Sequence, residues 1–125
     1  MLYENKVVSF VPTQDAAVAR AFYESILGLR FLSEDKFAVV FEMHEATLRV
    51  VSIDEFEPAK YTILGWEIVG IEDVAIELKE KGVVFERYEW LEQDYLGIWT
   101  APNGDRVAWF KDPDGNVLSI SEHLV

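Results

Sequence analysis

His44 and His123 are the only imidazoles in the chain, and there is no cysteine to join them. First-row metals are held by several imidazole, carboxylate or thiolate donors together. Neither histidine has a second one at helical or hairpin spacing, so both read as surface residues: His44 at a hairpin tip, His123 among the last three residues. No Ser-His-Asp pattern, phosphate loop or dinucleotide fingerprint stands out. Glu42, Glu67 and Glu122 can reach one sheet face by strand alternation. A carboxylate there can act as a general base or can simply be solvated or lie on a dimer rim. The other chemical resource is aromatic: Tyr61, Tyr88, Trp90, Tyr95, Trp99 and Trp109. Such side chains wall a site for planar ligands by stacking, or pack a core or a subunit interface. Trp90, Tyr95 and Trp99 fall in an irregular stretch without core periodicity, which favours the ligand reading for the set.

The elements that must position these groups come in duplicate. Gly28-Leu-Arg-Phe31 recurs as Gly82-Val-Val-Phe85, each after a helical stretch that itself follows an apolar run. In the first copy Lys6 to Val11 reads as a strand broken by Pro12-Thr13. Ala16 to Leu27 reads as one helix with Val18, Phe22 and Ile26 on a face, capped by Thr13 or Asp15 and stopped by Gly28. Leu29–Leu32, Phe37–Met43 and Ala46–Ile53 follow as strands. In the second copy Tyr61–Val69 is a strand. Ile71, Val74, Ala75 and Leu78 share a helix face. Val83–Tyr88, Asp105–Lys111 and Val117–Glu122 are strands, and Glu89–Asn103 is irregular. Asp112-Pro-Asp-Gly115 is the turn of the last hairpin. The expected fold is α+β, with two βαβββ modules, residues 1–57 and 60–125, in one domain. Their curved, mostly antiparallel sheet carries helices on its outer face and leaves a cup on the other.

Composition narrows the classes. With 23 acidic residues against 11 basic, the formal charge of −12 repels phosphate backbones and anionic membranes, so neither nucleic acid nor membrane is expected as a partner. No apolar run approaches the roughly 18 to 20 residues that span a bilayer. The first residues lack the features of a signal peptide. Together with the missing cysteines this leads us to expect a cytoplasmic protein.

Ala19-Arg-Ala-Phe-Tyr-Glu-Ser-Ile-Leu-Gly28 and Phe110-Lys-Asp-Pro-Asp-Gly-Asn-Val-Leu-Ser-Ile120 resemble motifs of the vicinal oxygen chelate superfamily, which includes glyoxalase I, extradiol dioxygenases and bleomycin-resistance proteins. The resemblance extends over nearly the whole chain. It implies two βαβββ modules, often in a homodimer, with a cup-shaped ligand site. It also implies metal ligands at four places, two on the first strands and two on the last strands of the modules. In this sequence those places fall at Val8, Arg49, Ile63 and Ser119. Valine and isoleucine have no donor atom, arginine brings a fixed positive charge, and a neutral serine hydroxyl is a poor ligand alone. The expectation is therefore a protein with no metal and no cofactor. It would bind or sequester a small aromatic or polar molecule in a site drawn from Arg49, Val8, Ile63, Ser119, Glu67, Tyr61, Trp90, Trp99 and Trp109. The alternative is a metal-independent lyase, isomerase or hydrolase pairing a cup carboxylate with Arg49. A third reading is a dimeric domain that acts through protein contacts alone. Arg49 itself either faces ligand or pairs with an internal carboxylate such as Glu67 or Glu122.

Overall fold

The computed structural model describes residues 1–124. The chain forms two compact units that meet at Pro58 and Ala59. Each is an α+β unit with a four-stranded mixed sheet.

In the first unit β1 (Val7–Thr13) runs parallel to β4 (Ala46–Ser52). β4 pairs antiparallel with β3 (Ala38–Met43), and β3 pairs antiparallel with β2 (Arg30–Glu34). The sheet order is β1-β4-β3-β2. Pro12 does not end β1 as the sequence suggests. β1 is an edge strand, where a missing N–H costs the ladder little. The helix expected over 16–27 is divided. Ala16–Ala21 is α-helical (α1), with Asp15 as cap accepting from the Val18 amide at 3.2 Å. Phe22–Ile26 then widens to a π-turn, closed by the Leu27 amide on the Phe22 carbonyl at 3.0 Å. The wider turn accompanies burial of the adjacent Phe22 and Tyr23 together, their rings edge to face at 5.2 Å. Tyr23 meets Phe41, and Phe41, Leu48, Val50, Val39 and Val11 form the buried sheet face beneath α1. Each such side chain contributes about 1.5–3 kcal/mol by leaving water.

The second unit repeats the plan with β5 (Thr62–Glu67), α2 (Ile71–Glu80), β6 (Trp99–Thr100), β7 (Arg106–Lys111) and β8 (Val117–Glu122), in the order β5-β8-β7-β6. β5 is parallel to β8, and the remaining pairs are antiparallel. Ile71, Ala75 and Leu78 of α2 pack on Phe110, Leu118, Ile120 and Ala108. The turn between β7 and β8 is built by Asp112, whose carboxylate accepts from the amides of Asp114 and Asn116 and from the Asn116 side chain, all at 2.9 Å. Gly115, at φ 87°, closes it.

One expected strand is absent. Val83–Tyr88 pairs with β7 only at the bridge Phe85 to Phe110, with the Glu86 amide on the Trp109 carbonyl at 2.8 Å. The short β6 takes the rest of that edge, from within the stretch read as irregular. The cause is Gln93. Its side-chain amide donates to the carbonyls of Glu86 and Gly97, and its oxygen accepts from the Tyr88 amide, at 2.8–2.9 Å. A side chain has taken the backbone groups that a ladder would have used.

Candidate functional site

Residues that face each other across a ladder share a sheet face. In the second unit the face turned away from α2 is laid out in two rows. Gly65, Ser119 and Trp109 are one row; Glu67, Ser121, Val107 and Trp99 are the next. Aromatic rings crowd one end of this face. Trp99 lies 6.1 Å from Trp109, Trp109 5.6 Å from Tyr88, and Tyr88 5.0 Å from Trp90, centroid to centroid. Trp90 is 77% exposed even so, which leaves most of its ring for another molecule. The Tyr88 hydroxyl is pushed above its usual range, first by burial and then by the neighbouring Glu86.

Ser119 is buried, and its hydroxyl makes no hydrogen bond among the described residues. Gly65 beside it leaves a notch. A Cβ there would stand 2.7 Å from the Ser119 oxygen. Ile63, the residue expected next to Ser119, lies instead at a bulge between Thr62 and Leu64 and is half-buried. Glu67 is exposed and makes no ion pair or hydrogen bond among the described residues. Tyr61 is exposed just before β5 and joins no ring contact among the described residues. Tyr95 is equally exposed and also stands outside the ring cluster.

Glu122 was expected to reach the same face but lies on the opposite one. It sits across from Arg106, whose guanidinium reaches Glu72 of α2 at 3.0 Å. Its carboxylate accepts from the amides of Gly70 and Ile71 at 2.8 and 3.2 Å, and so caps a helix whose N-cap, Gly70, has no side chain to do it. Those two amides, the Gly70 one first, hold the Glu122 carboxyl below its ordinary range.

In the first unit the face opposite α1 carries Phe10 beside Arg49 and Val8 beside Thr47, with Val40 and Glu42 on β3. Val8 and Phe10 are exposed, and Arg49 is half-buried. Within this unit Arg49 has no carboxylate in ion-pair range, and Glu42 is taken by Arg30 at 3.4 Å. The side chains at the four inferred ligand places do not fit a divalent cation, and among the described residues no three His, Asp or Glu groups converge to hold one. A separate groove of about 510 Å³ runs along the end of α2, past Lys79, Val84, Phe85 and Tyr95, and of the residues above includes Tyr95 alone. No described helix is long and apolar enough to cross a membrane.

Sequence reasoning also passed over a hydrogen-bonded array. The Ser121 hydroxyl lies 2.9 Å from His123 Nε2, and His123 Nδ1 lies 2.9 Å from Asp105 Oδ2. The signal was present in the register. Counting outward from Lys111 opposite Val117, six steps on each strand (111 to 105, 117 to 123) bring Asp105 opposite His123.

Comparison with known proteins gives one consistent answer. Residues 6–120 match the model of the Glyoxalase/Bleomycin resistance protein/Dioxygenase superfamily. No curated protein matches the chain. Among solved structures, a superfamily member from Sphaerobacter thermophilus is similar at a TM-score of 0.74 and 22% identity, covering 94% of this chain and 96% of that one. One from Alicyclobacillus acidocaldarius aligns at 0.75 with 16% identity, over 97% and 92%. A lactoylglutathione lyase from Agrobacterium tumefaciens aligns at 0.73 with 17% identity, over 93% and 91%. At these identities the likeness is one of fold.

Proposed function

Since the chain belongs to the glyoxalase, bleomycin resistance protein and dioxygenase superfamily, we propose that it binds a small aromatic molecule on the α2-distal face of its second unit, without a metal. The observation that carries this is the continuous ring series Trp90, Tyr88, Trp109 and Trp99 beside an uncommitted Ser119 hydroxyl. Aromatic rings hold a planar ligand by stacking, and a hydroxyl beside them fixes its orientation. In the first unit the guanidinium of Arg49 makes no ion pair, though Asp35 lies near enough to feel its charge, and it is suited to gripping an anionic or carbonyl-bearing group through two parallel hydrogen bonds. For the enzymatic alternative, a metal-independent lyase, isomerase or hydrolase, the second unit offers Glu67 as a candidate base on the α2-distal face, since Glu122 is committed to its helix and Asp105 to His123. We read the working form as a cytoplasmic homodimer. The cysteine-free composition and the exposed Val7, Val8 and Phe10 on edge strand β1 support that reading.

A panel of planar aromatic compounds, titrated by quenching of tryptophan fluorescence, tests the binding. Trp109→Ala and Trp99→Ala should each weaken a hit about tenfold, the equivalent of about 1.4 kcal/mol of lost stacking. Arg49 is tested by itself: Arg49→Ala should weaken any anionic or carbonyl-bearing compound that binds the first unit. A panel with no binder at millimolar concentration, or hits indifferent to both tryptophans, would end the proposal.

A further inference from the structure

We infer that Ser121, His123 and Asp105 form a nucleophilic relay able to accept an acyl group from small neutral or cationic esters. Asp105 is set first. Its Oδ1 accepts from the Leu124 amide at 3.0 Å, which aims Oδ2 at the imidazole 2.9 Å away. A carboxylate on Nδ1 holds the proton there and leaves Nε2 as the acceptor that faces the Ser121 hydroxyl at 2.9 Å. That is the order of parts that turns a weak hydroxyl into a nucleophile.

The surroundings give the relay a substrate class. Ser121 lies on the α2-distal face between Glu67 and Val107, with Trp99 beyond Val107. Val107 and Trp99 offer an apolar shelf for an aryl or alkyl group. Glu67 next to the nucleophile, and a chain charge of −12, turn anionic esters away. His123 is 43% exposed at its side chain, so an ester reaches it from solvent.

The chemistry balances with water as the only co-reactant. Ser121 Oγ bonds to the ester carbonyl carbon while His123 Nε2 takes the hydroxyl proton. The carbon–oxygen bond to the alcohol then breaks, and the alcohol leaves with that proton. Water adds to the acyl-serine, passes a proton through Nε2 back to Ser121, and releases the carboxylic acid.

The test uses the full chain with p-nitrophenyl acetate, following p-nitrophenolate release and locating the acetyl group by peptide mass spectrometry. Acetylation at Ser121 is expected, absent in Ser121→Ala and slowed about a hundredfold or more in His123→Gln. Asp105→Asn should slow it as well, with circular dichroism confirming that each variant is folded. Acetyl groups found only on lysine, tyrosine or the N-terminus would overturn the assignment. So would a His123→Gln rate equal to that of the unaltered chain. Neither result depends on whether the aromatic face binds a ligand.

Discussion

Gly65→Ala puts the notch beside Ser119 to the test. The added Cβ would stand 2.7 Å from Ser119 Oγ and 3.4 Å from the Ser119 carbonyl oxygen, with Thr62 Cγ2 at 3.8 Å. The first contact is about 0.7 Å inside the 3.4 Å at which ordinary packing begins, and the other two are ordinary. Overpacking of this kind costs about 1–3 kcal/mol. Removing glycine's backbone freedom returns about 0.5–1 kcal/mol, because the position needs no positive φ. The single change should therefore destabilise by about 1–2 kcal/mol. In a Ser119→Ala background the offending oxygen is gone, and the same change should stabilise by about 0.5 kcal/mol. The coupling of the pair is then about 1.5–2.5 kcal/mol, well beyond the roughly 0.5 kcal/mol scatter of independent sites. Equilibrium urea unfolding of the four proteins, read by tryptophan fluorescence, measures it. Additive effects would mean that Gly65 and Ser119 are not the neighbours described, and the notch would fall with them.

Acid should loosen the second unit through Glu122. Its carboxyl is lowered from the usual 4.5 by the helix amides, so the contribution is whole above about pH 4.5 and is lost as pH falls through the folded value. Asp105 and Asp35, both lowered from 3.8 chiefly by backbone amides, extend the loss to lower pH. Urea midpoints taken from about pH 6 to pH 3 should fall, and should fall less steeply in Glu122→Gln; an unaltered slope there would remove Glu122 from the account. Sedimentation should give a dimer at micromolar concentration, and Phe10→Glu on the exposed edge strand should shift it to monomer. A protein that is monomeric from the start would refute the dimer reading.

The repeated order of elements was legible because its markers are local. Gly28 and Gly82 stop helices with positive φ, and Asp112 to Gly115 carry a whole turn in consecutive residues. What escaped depended on partners distant in sequence. Nothing in Val83–Tyr88 itself says that the Gln93 side chain will claim its backbone. Nothing near Gly70 says that Glu122, on β8, supplies the missing cap. The π-turn at Phe22 answers to burial of two adjacent rings, which helical periodicity alone cannot express. At the site, the sequence put Ser119 and Glu67 on one face, but it put Glu122 there too, and the bulge in β5 moved Gly65 into the place expected for Ile63.

The Gln93 anchorage separates two jobs within one loop. Gln93, Asp94 and Arg87 hold the frame: Asp94 Oδ1 accepts from the amides of Leu96 and Ile98 at 2.9 Å, and the Arg87 guanidinium binds the carbonyls of Asp94 and Tyr95 at 2.6 and 2.9 Å. Trp90 and Glu92, exposed on the same loop, make none of these bonds. Mutation can therefore redraw the outward side chains while the scaffold keeps its shape. If the aromatic face binds as proposed, drift at those positions would change its ligand preference without renegotiating stability.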